Sequence, residues 1–527
     1  MAPCAAAVLL LLVWFLFLTG VPWRIKGAVA AVAVAAPAVL FAFFDISFTG
    51  DMAIIFVPRA WWAGSREAAL PHISGLTRAD GPAVAVRPED FPQFMGPERL
   101  GVVRGARLER DWAAHPPREI WRKKIGLGWG AFAVAGPFLS REMRADAALA
   151  FGWGVMAVPG QVAVTQEQRV GEELVVAYGG DDGEVLWAHA HPARFSEPMG
   201  GDGPRATPTL WGGKVFALGA TGVLDCIDAG TGRPEWSVDT LPTNNAKNLQ
   251  WGKSCSPLVV EDLGLVVVSL GEGGDGALAA YDVKSGDRKW VGGDSVTDKA
   301  SYSSPMLLTL GGERQIVSMN AATATGHDPK TGAILWRHAL PGAPPARASQ
   351  PIPLSGDRLL LLCGYSTPGV LLKVKRDGDQ WSTDEEYQTM KMQTKFTTAV
   401  VRDQYAYGLD DGALACLDLE NGQQKWKVGA RGGPDRVGHG QVLLADDLLL
   451  VQAEQPGDVL LVEASPDGFH KLGVIHAFKE KTWNNPALAG NHLFVRNDRE
   501  AACYEVPRRD MPPPPGGEYL PKPPGGK

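Results

Sequence analysis

The sequence is poor in the residues that redox centres usually require. It contains 6 cysteines in 527 residues, and no two of them are adjacent. It has no Cys-x-x-Cys-His motif for haem attachment, and Cys255 and Cys363 show neither metal nor redox spacing. These absences exclude a vicinal disulfide and a covalently attached haem.

The chain also lacks an excess of positive charge and a recognisable metal motif. Lys and Arg number 51 against 58 Asp and Glu, which gives a net charge of −7 and makes nucleic acid an unexpected partner. Among the 10 histidines, His189 and His191 form a His-x-His pair on one face of a predicted strand, with no third ligand nearby in sequence. We interpret this pair as a solvated strand face and predict no metal site.

The most informative feature present is a repeat, small–x–Asp–x–x–Thr/Ser/Asn–Gly–x–x–x–Trp. The Asp and hydroxyl side chains are expected to cap a tight turn, and the Gly to supply its positive φ. The Trp ring can then fill the gap between neighbouring sheets. Looser copies end at Trp187 and Trp381. The clear copies contain Asp228, Gly232 and Trp236; Asp282, Gly286 and Trp290; Asp328, Gly332 and Trp336; and Asp418, Gly422 and Trp426.

A Trp recurs every 45 to 54 residues, each time after an alternating apolar strand and a Gly turn. This pattern predicts an all-β propeller built from four-stranded blades. Residues 459–472 are interpreted as a seventh blade without its Trp, and residues 485–506 supply three further strands. Residues 119–125 have the pattern of an outer strand with no blade of their own. Joining the two ends gives an eight-bladed β-propeller whose last blade combines N- and C-terminal strands, leaving no open sheet edge.

Small residues are expected ten positions before each repeat Trp, inside the sheet. Cys226 and Cys416 occupy that position, and Cys503 occupies the matching place in the eighth blade. We interpret them as buried structural residues in separate blades, where disulfides among the three are not expected.

The repeat, the blade count and the lead-in Asp90-Phe-Pro-Gln-Phe-Met-Gly-Pro97 resemble the PQQ-binding-like β-propeller repeat proteins over residues 88–506. That group includes quinoprotein alcohol dehydrogenases and the outer-membrane assembly factor BamB. The resemblance implies, for a dehydrogenase, a disulfide between adjacent cysteines, a calcium ion held by carboxylate and amide groups, and a catalytic Asp. Because adjacent cysteines are missing, we predict no cofactor and regard PQQ and calcium as unexpected.

Outside the propeller, residues 1–50 are predicted to form two transmembrane helices, at about 4–21 and 27–46. A signal peptide is the alternative for the first, and the missing basic start also fits a chain that begins further upstream. Arg24 and Lys26, in a predicted turn between the helices, place that turn in the cytoplasm and the propeller on the periplasmic side of the inner membrane.

Three shorter segments complete the organisation. Residues 51–87 are interpreted as an irregular stalk or a surface-wrapping segment, and residues 507–527 as a disordered tail. Residues 128–136 are echoed by residues 152–160, which predicts a duplicated opening strand with one copy in the sheet and the other inserted.

A cation lies close before the first strand of each of seven blades, where residues should surround one mouth of the central channel. The seven are Arg205, Lys253, Lys299, Arg347, Lys395, Arg436 and Lys481. Neighbouring groups that could stack or hydrogen-bond are Trp251, Tyr302, His439, Trp483 and Asn484. Together they predict a positively charged mouth that binds an anionic ligand or an acidic segment of a protein or peptide partner.

The function predicted from the sequence is a membrane-anchored binding or scaffold module, in cell-envelope or outer-membrane protein assembly. The alternative is a quinone-dependent dehydrogenase that uses the central funnel. Proteins of one fold can differ in their functional sites, so both functions stay open at this point.

Overall fold

The computed structural model describes residues 14–17, 19–58, 70–79, 81, 83–137, 160–429, 433 and 435–510. Helix α1 (Trp23–Phe43) begins at the predicted turn, because the Pro22 carbonyl accepts the N–H groups of Ile25 and Lys26. The turn prediction is therefore wrong.

Helix α1 corresponds to the second predicted transmembrane helix and ends before residue 46. Within the described residues, Trp23–Leu40 is the one helical stretch long and apolar enough to cross a membrane. The first predicted helix lies mostly outside the described residues, and two membrane-spanning helices are not supported.

A β-hairpin follows the helix directly. Its strands are β1 (Phe44–Phe48) and β2 (Ile54–Pro58), which pair in antiparallel register. Its tip is closed by hydrogen bonds between Thr49 and Ala53 and from Met52 to Thr49, each 2.9 Å. Strand β2 therefore lies where the sequence predicts irregular chain.

The rest of the described chain forms eight blades. Two strands precede the first blade, β3 (Val102–Val103) and β4 (Arg118–Lys124). Blade one contains β5 (Ala133–Ala135), β6 (Val162–Arg169), β7 (Glu172–Gly179) and β8 (Val185–His191). Blade two contains β9 (Thr209–Trp211), β10 (Lys214–Leu218), β11 (Val223–Asp228) and β12 (Pro234–Asp239), and is followed by the short helix α2 (Thr240–Thr243). Blade three contains β13 (Leu258–Val260), β14 (Leu265–Ser269), β15 (Leu278–Asp282) and β16 (Arg288–Gly292), with a 3₁₀ turn at Glu261–Leu263.

The remaining blades follow the same plan. Blade four contains β17 (Met306–Leu310), β18 (Glu313–Met319), β19 (Thr323–His327) and β20 (Ile334–Ala339). Blade five contains β21 (Ile352–Leu354), β22 (Arg358–Leu361), β23 (Gly369–Asp377) and β24 (Gln380–Thr389). Blade six contains β25 (Val400–Arg402), β26 (Tyr405–Asp410), β27 (Ala413–Asp418) and β28 (Gln424–Val428). Blade seven contains β29 (Gln441–Ala445), β30 (Leu448–Gln452), β31 (Gly457–Glu463) and β32 (Lys471–Phe478). Blade eight begins with β33 (Ala487–Ala489), β34 (His492–Arg496) and β35 (Glu500–Glu505).

The eighth blade is closed by β4, as predicted from the sequence. Strand β4 pairs antiparallel with β35, and Trp121 lies opposite Cys503. Strand β3 adds a parallel fifth strand to blade seven through β29. Closure removes the two free edges that an open ring of blades would expose.

The hydrophobic core lies between the faces of neighbouring blades rather than inside any single one. Phe216 and Leu224 of blade two, for example, form one buried cluster with Val266 and Tyr281 of blade three. Each blade is thus stabilised mainly by its two neighbours.

The chain before β4 covers part of the channel and the outer surface. Phe91 is fully buried and pairs with Val134 of blade one. Arg99 crosses to blade three, where it donates to the carbonyl oxygens of Ser256 and Pro257, each at 2.9 Å. Further upstream, the Arg78 N–H bonds to the turn of blade two, so this part of the segment wraps the outside of the propeller.

The repeat aromatic residues join most of the described blades to the next blade. In five blades the indole N–H donates to a carbonyl oxygen in the neighbouring blade, at 2.8 to 3.1 Å. The pairs are Trp121 with Gly180, Trp187 with Ala229, Trp236 with Val283, Trp290 with Pro329, and Trp426 with Ser465. The predicted gap-filling role of the Trp is therefore confirmed.

The Asp and Gly of the repeat have the predicted roles in the turn. Asp228 accepts the backbone N–H of Thr231 at 2.8 Å, and Gly232 has a φ of 77°. A Cβ at Gly232 would lie 2.6 Å from Trp187 of the preceding blade. Glycine is thus required both for its conformation and for the ring above it.

Trp381 is not a repeat Trp, and that assignment is wrong. It lies opposite Arg376 near the tip of the β23–β24 hairpin. The repeat position is filled by Tyr387, whose hydroxyl donates to the Leu419 carbonyl of blade six at 3.1 Å. Trp381, near the tip of this long hairpin, matches the spacing of the repeat Trp residues along the chain only by coincidence.

Some sequence predictions concern residues that are only partly described. The second copy of the duplicated strand, residues 152–160, lies outside the described residues except for Gly160, and the first copy contains β5. Of the predicted tail, 507–510 are described and hydrogen-bond to Arg107 and Glu109, whereas 511–527 lie outside the described residues.

We expect Trp121→Ala to lower the free energy of unfolding by about 3–5 kcal/mol, because it removes a buried ring from the closing strand and its hydrogen bond to Gly180, which joins blade eight to blade one. The matched control is Trp381→Ala, which removes the same side chain from a hairpin tip and should cost clearly less. Chemical denaturation of both variants measures the difference. Equal losses would contradict the closed-ring topology.

Candidate functional site

Before the first strand of each of blades two to six, a Thr, Ser or Gln side chain accepts a backbone N–H group from the segment that opens the preceding blade. The acceptors are Thr207, Ser256, Ser304, Gln350 and Thr398, whose side chains accept the N–H groups of Ala131, Thr207, Ser256, Ser304 and Gln350 at 2.8 to 3.0 Å. These bonds satisfy backbone donors that are buried along the channel. The sequence contains this signal as Thr, Ser or Gln at equivalent positions before the first strands.

Two of the predicted mouth cations bind backbone carbonyl groups. Arg205 donates to Gly201 and Gly203 at 2.8 and 2.6 Å. Lys253 is fully buried and donates to Leu270 at 2.7 Å. Burial lowers the pKa of Arg205 to about 10 and that of Lys253 to about 8. Their first role is to satisfy buried backbone carbonyl groups, in a loop for Arg205 and after strand β14 for Lys253.

Of two further cations, one also binds a backbone carbonyl group and the other is exposed. Arg347 is buried and donates to the carbonyl oxygen of Ala321 at 2.9 Å, and Lys299 is exposed. Asn484 is also structural, since its amide donates to Gly130 at 2.8 Å.

Four other predicted residues converge on the tip of the β1–β2 hairpin. Lys395, Arg436, His439 and Lys481 come from the loops that open blades six, seven and eight, and all four contact residues 47–51. We call this set the cationic mouth. Its ligand in the structure is a segment of the same chain.

Asp51 at the hairpin tip is held by three of these groups. Its carboxylate contacts Arg436, lies 3.0 Å from His439 Nε2 and lies 3.8 Å from Lys395 Nζ. Burial alone would raise the pKa of Asp51, but the hydrogen bonds from His439 and Arg436 outweigh it and lower the pKa of this carboxyl. The mouth therefore favours a charged carboxylate at this position.

The hairpin backbone is recognised as well as its charge. Gly50 N donates to Glu454 Oε1 at 2.5 Å, and Gly50 O accepts from Lys395 Nζ at 3.2 Å. A Cβ at Gly50 would lie 2.5 Å from His439. Only a residue without a side chain can therefore make this approach.

Lys481 binds the hairpin within an aromatic cluster. Its Nζ donates to Ser47 Oγ and to the Phe48 carbonyl, each at 3.0 Å. It also lies 3.7 Å from the Trp483 ring centroid and 4.8 Å from that of Trp129. Burial lowers the pKa of Lys481 to about 8, and the aromatic faces partly replace its lost hydration.

Two other aromatic residues of the predicted mouth contact each other. The ring centroids of Trp251 and Tyr302 are 5.5 Å apart, and the backbone N–H of Trp251 donates to the Tyr302 hydroxyl at 3.2 Å. Beside Asp51, a cleft of about 470 Å³ is lined by Lys395, Lys427 and Arg436 among others. The mouth thus has room for more than the tip it already holds.

The His189–His191 pair has a partner that the sequence interpretation missed. Asp225 of blade two lies 2.7 Å from His191 Nε2 and 3.6 Å from His189 Nε2. The description of the pair as a solvated strand face without a third ligand is therefore wrong. Local spacing could not reveal this residue, because it is supplied by the next blade.

Comparison with known proteins agrees with this architecture. A family model described as "Outer membrane protein assembly factor BamB" matches residues 114–250 and, in a second match, residues 171–428. The two matches together span more than half of the chain.

A solved BamB structure shares the fold at low sequence identity. BamB from Moraxella catarrhalis is 13% identical with a TM-score of 0.50, and the match covers 74% of this chain and 100% of that one. Quinohemoprotein alcohol dehydrogenase from Comamonas testosteroni is 12% identical with a TM-score of 0.41, covering 82% and 84%.

One curated relative also matches locally. The dehydrogenase subunit of the quinone alcohol dehydrogenase of Acetobacter aceti is 29% identical over 113 residues. The match spans 20% of this chain and 15% of that subunit, so this chain covers a small part of its relative's length. On the family match and the eight blades, the chain belongs to the PQQ-like β-propeller repeat family whose model is described as outer membrane protein assembly factor BamB.

Proposed function

We propose that this protein is a membrane-anchored, extracytoplasmic binding module, which serves as a scaffold in cell-envelope assembly and captures an acidic segment of a partner protein at its cationic mouth. The observation that carries the proposal is the bound carboxylate of Asp51. It defines, within the chain itself, the kind of ligand this mouth accepts.

The chemistry of the mouth suits an extended chain with an acidic residue at a tight turn. Arg436 and His439 bind the carboxylate of Asp51, whereas Lys395 and Lys481 bind the backbone carbonyl oxygens of Gly50 and Phe48, which precede it in the chain. A partner segment with the same arrangement would make the same contacts. The chain's own hairpin therefore competes with such a partner for the mouth.

The anchoring part of the proposal rests on helix α1. Arg24 and Lys26 lie in its first turn, and the positive-inside rule assigns that end to the cytoplasm. The opposite end runs directly into β1 without a linker. The propeller then lies outside the cytoplasm, with its cationic mouth beside the membrane end of the helix.

The alternative is a quinone-dependent dehydrogenase, for which the family resemblance implies a quinone and calcium. In the described residues, no group of three carboxylate, His or Cys ligands lies at the mouth. Glu454 there already accepts from Gly50 N, His439 N and Trp483 Nε1. These residues do not fit a calcium-bound quinone. A quinone and calcium retained by the purified protein, seen by absorbance and native mass spectrometry, would favour the enzyme instead.

The first test of the proposal displaces the hairpin without changing any charge. We expect Gly50→Ala to raise the affinity for a labelled peptide of residues 44–58 at least tenfold, because the new Cβ clashes with His439 and removes an intramolecular competitor. Fluorescence anisotropy with the full chain in detergent measures the affinity. Gly27→Ala, where a Cβ meets no atom within 4 Å, is the matched control. Equal affinities of Gly50→Ala and wild type would contradict competition at the mouth.

The second test removes charge from the mouth. In the Gly50→Ala chain, Lys395→Gln with Arg436→Gln should weaken peptide binding at least tenfold and flatten its salt dependence, because two cations next to the carboxylate are lost. Lys289→Gln with Arg314→Gln is the matched control, since both residues lie on blade surfaces away from the hairpin. If both double variants bind alike, the mouth is not the binding site.

The third test concerns orientation. Alkaline phosphatase fused after residue 510 should be active, and β-galactosidase fused at the same point should be silent, since only the first enzyme works outside the cytoplasm. The expectation follows from Arg24 and Lys26 at the start of α1. The opposite pair of results would place the propeller in the cytoplasm and overturn the envelope role.

A further inference from the structure

A cluster of two histidines and one aspartate joins blades one and two, away from the cationic mouth. His189 and His191 are two residues apart on β8, so both side chains point to the same face of the sheet. Asp225 lies on β11 of the next blade. The cluster is the one group of three such ligands in the part of the chain that the structure describes.

The geometry of the three donor atoms is that of a small coordination site. The two Nε2 atoms are 3.2 Å apart, and Asp225 Oδ1 lies 2.7 Å from His191 Nε2 and 3.6 Å from His189 Nε2. A tetrahedral zinc ion with bonds of about 2.0–2.1 Å requires donors about 3.3 Å apart. The observed distances lie on both sides of that value.

A simple ion pair explains only part of this arrangement. His191 with Asp225 would form a complete histidine–carboxylate pair and would need one imidazole. The second ring also turns its Nε2 toward the first, with the two planes at 89°. When both rings carry their proton on Nδ1, the two imidazole nitrogens and the carboxylate direct three lone pairs toward a common point, which a metal ion can accept together.

The surroundings support the ligands and leave a path for an ion. Ser237 Oγ donates to Asp225 Oδ1 at 2.5 Å and fixes the carboxylate, as supporting groups do around metal ligands. The Asp225 side chain is 4% exposed, whereas His189 and His191 are 15% and 25% exposed. The open side can admit the ion and keep a fourth position for water.

We propose that His189, His191 and Asp225 form a binding site for a divalent transition-metal ion of the zinc class, which clamps blade one to blade two. Two imidazoles and one carboxylate suit zinc, copper or nickel rather than calcium or magnesium, which prefer oxygen ligands. An ion that binds only the folded protein stabilises it by mass action.

The test uses the full chain, purified with a chelator and without a polyhistidine tag, and titrated with zinc by calorimetry. We expect one zinc ion per chain and a higher melting temperature in its presence. With cobalt instead, we expect the intense visible absorption of a four-coordinate site. No saturable zinc binding by the wild type would overturn the proposal.

His189→Gln is the discriminating variant, because it keeps the His191–Asp225 pair and removes one ligand. We expect at least a hundredfold weaker zinc binding, with a melting temperature in chelator close to that of the wild type. His476→Gln, which removes an exposed histidine beside Asp458, is the matched control and should bind zinc normally. If His189→Gln binds zinc as tightly as the control, the proposal is wrong. If it is unstable even in chelator, zinc affinity of Asp225→Asn provides the same test.

Discussion

The propeller depends on one repeated contact, in which an aromatic ring of one blade covers the turn of the next. The indole N–H donates a hydrogen bond to a carbonyl oxygen of that turn, and the glycine of the turn lies beneath the ring. At Trp187 and Gly232 the approach leaves no space for a Cβ. Asp, Gly and Trp recur together because each belongs to the same junction. A change in any one of them affects two blades.

The exceptions to this contact show what it requires. Blade five has a long hairpin instead of the short repeat turn, and the Trp336 ring that should cover this turn bonds within its own blade, to Gln315. Blade five in turn presents Tyr387, whose hydroxyl reaches the same kind of carbonyl as an indole N–H would. The junction therefore needs a large ring with a donor at its far end, and Trp is the usual but not the obligatory choice.

The fold could be predicted from the sequence because the same Asp, Gly and Trp pattern recurs in several copies of the repeat. Blade number, turn roles and the closing strand at Trp121 all follow from it. The site could be predicted only in part. The position of a cation before the first strand of a blade indicates which end of the channel it lies near. It does not indicate which group the side chain binds. Lys253 binds a backbone carbonyl oxygen, whereas Lys395 binds the β1–β2 hairpin. Asp51 and Asp225 were missed because each is brought in by a different part of the chain.

Closure of the ring also sets an order in time. Arg122 of β4 bonds to Tyr504, 382 residues later in the chain. At about 5–20 residues per second, ribosomes need on the order of tens of seconds to add that intervening length. During this interval β4 has no partner strand, and its edge resembles the exposed edges that promote aggregation. Strand β4 can therefore pair only after residues 500–505 have been made, so synthesis of β35 sets the earliest time at which blade eight can close.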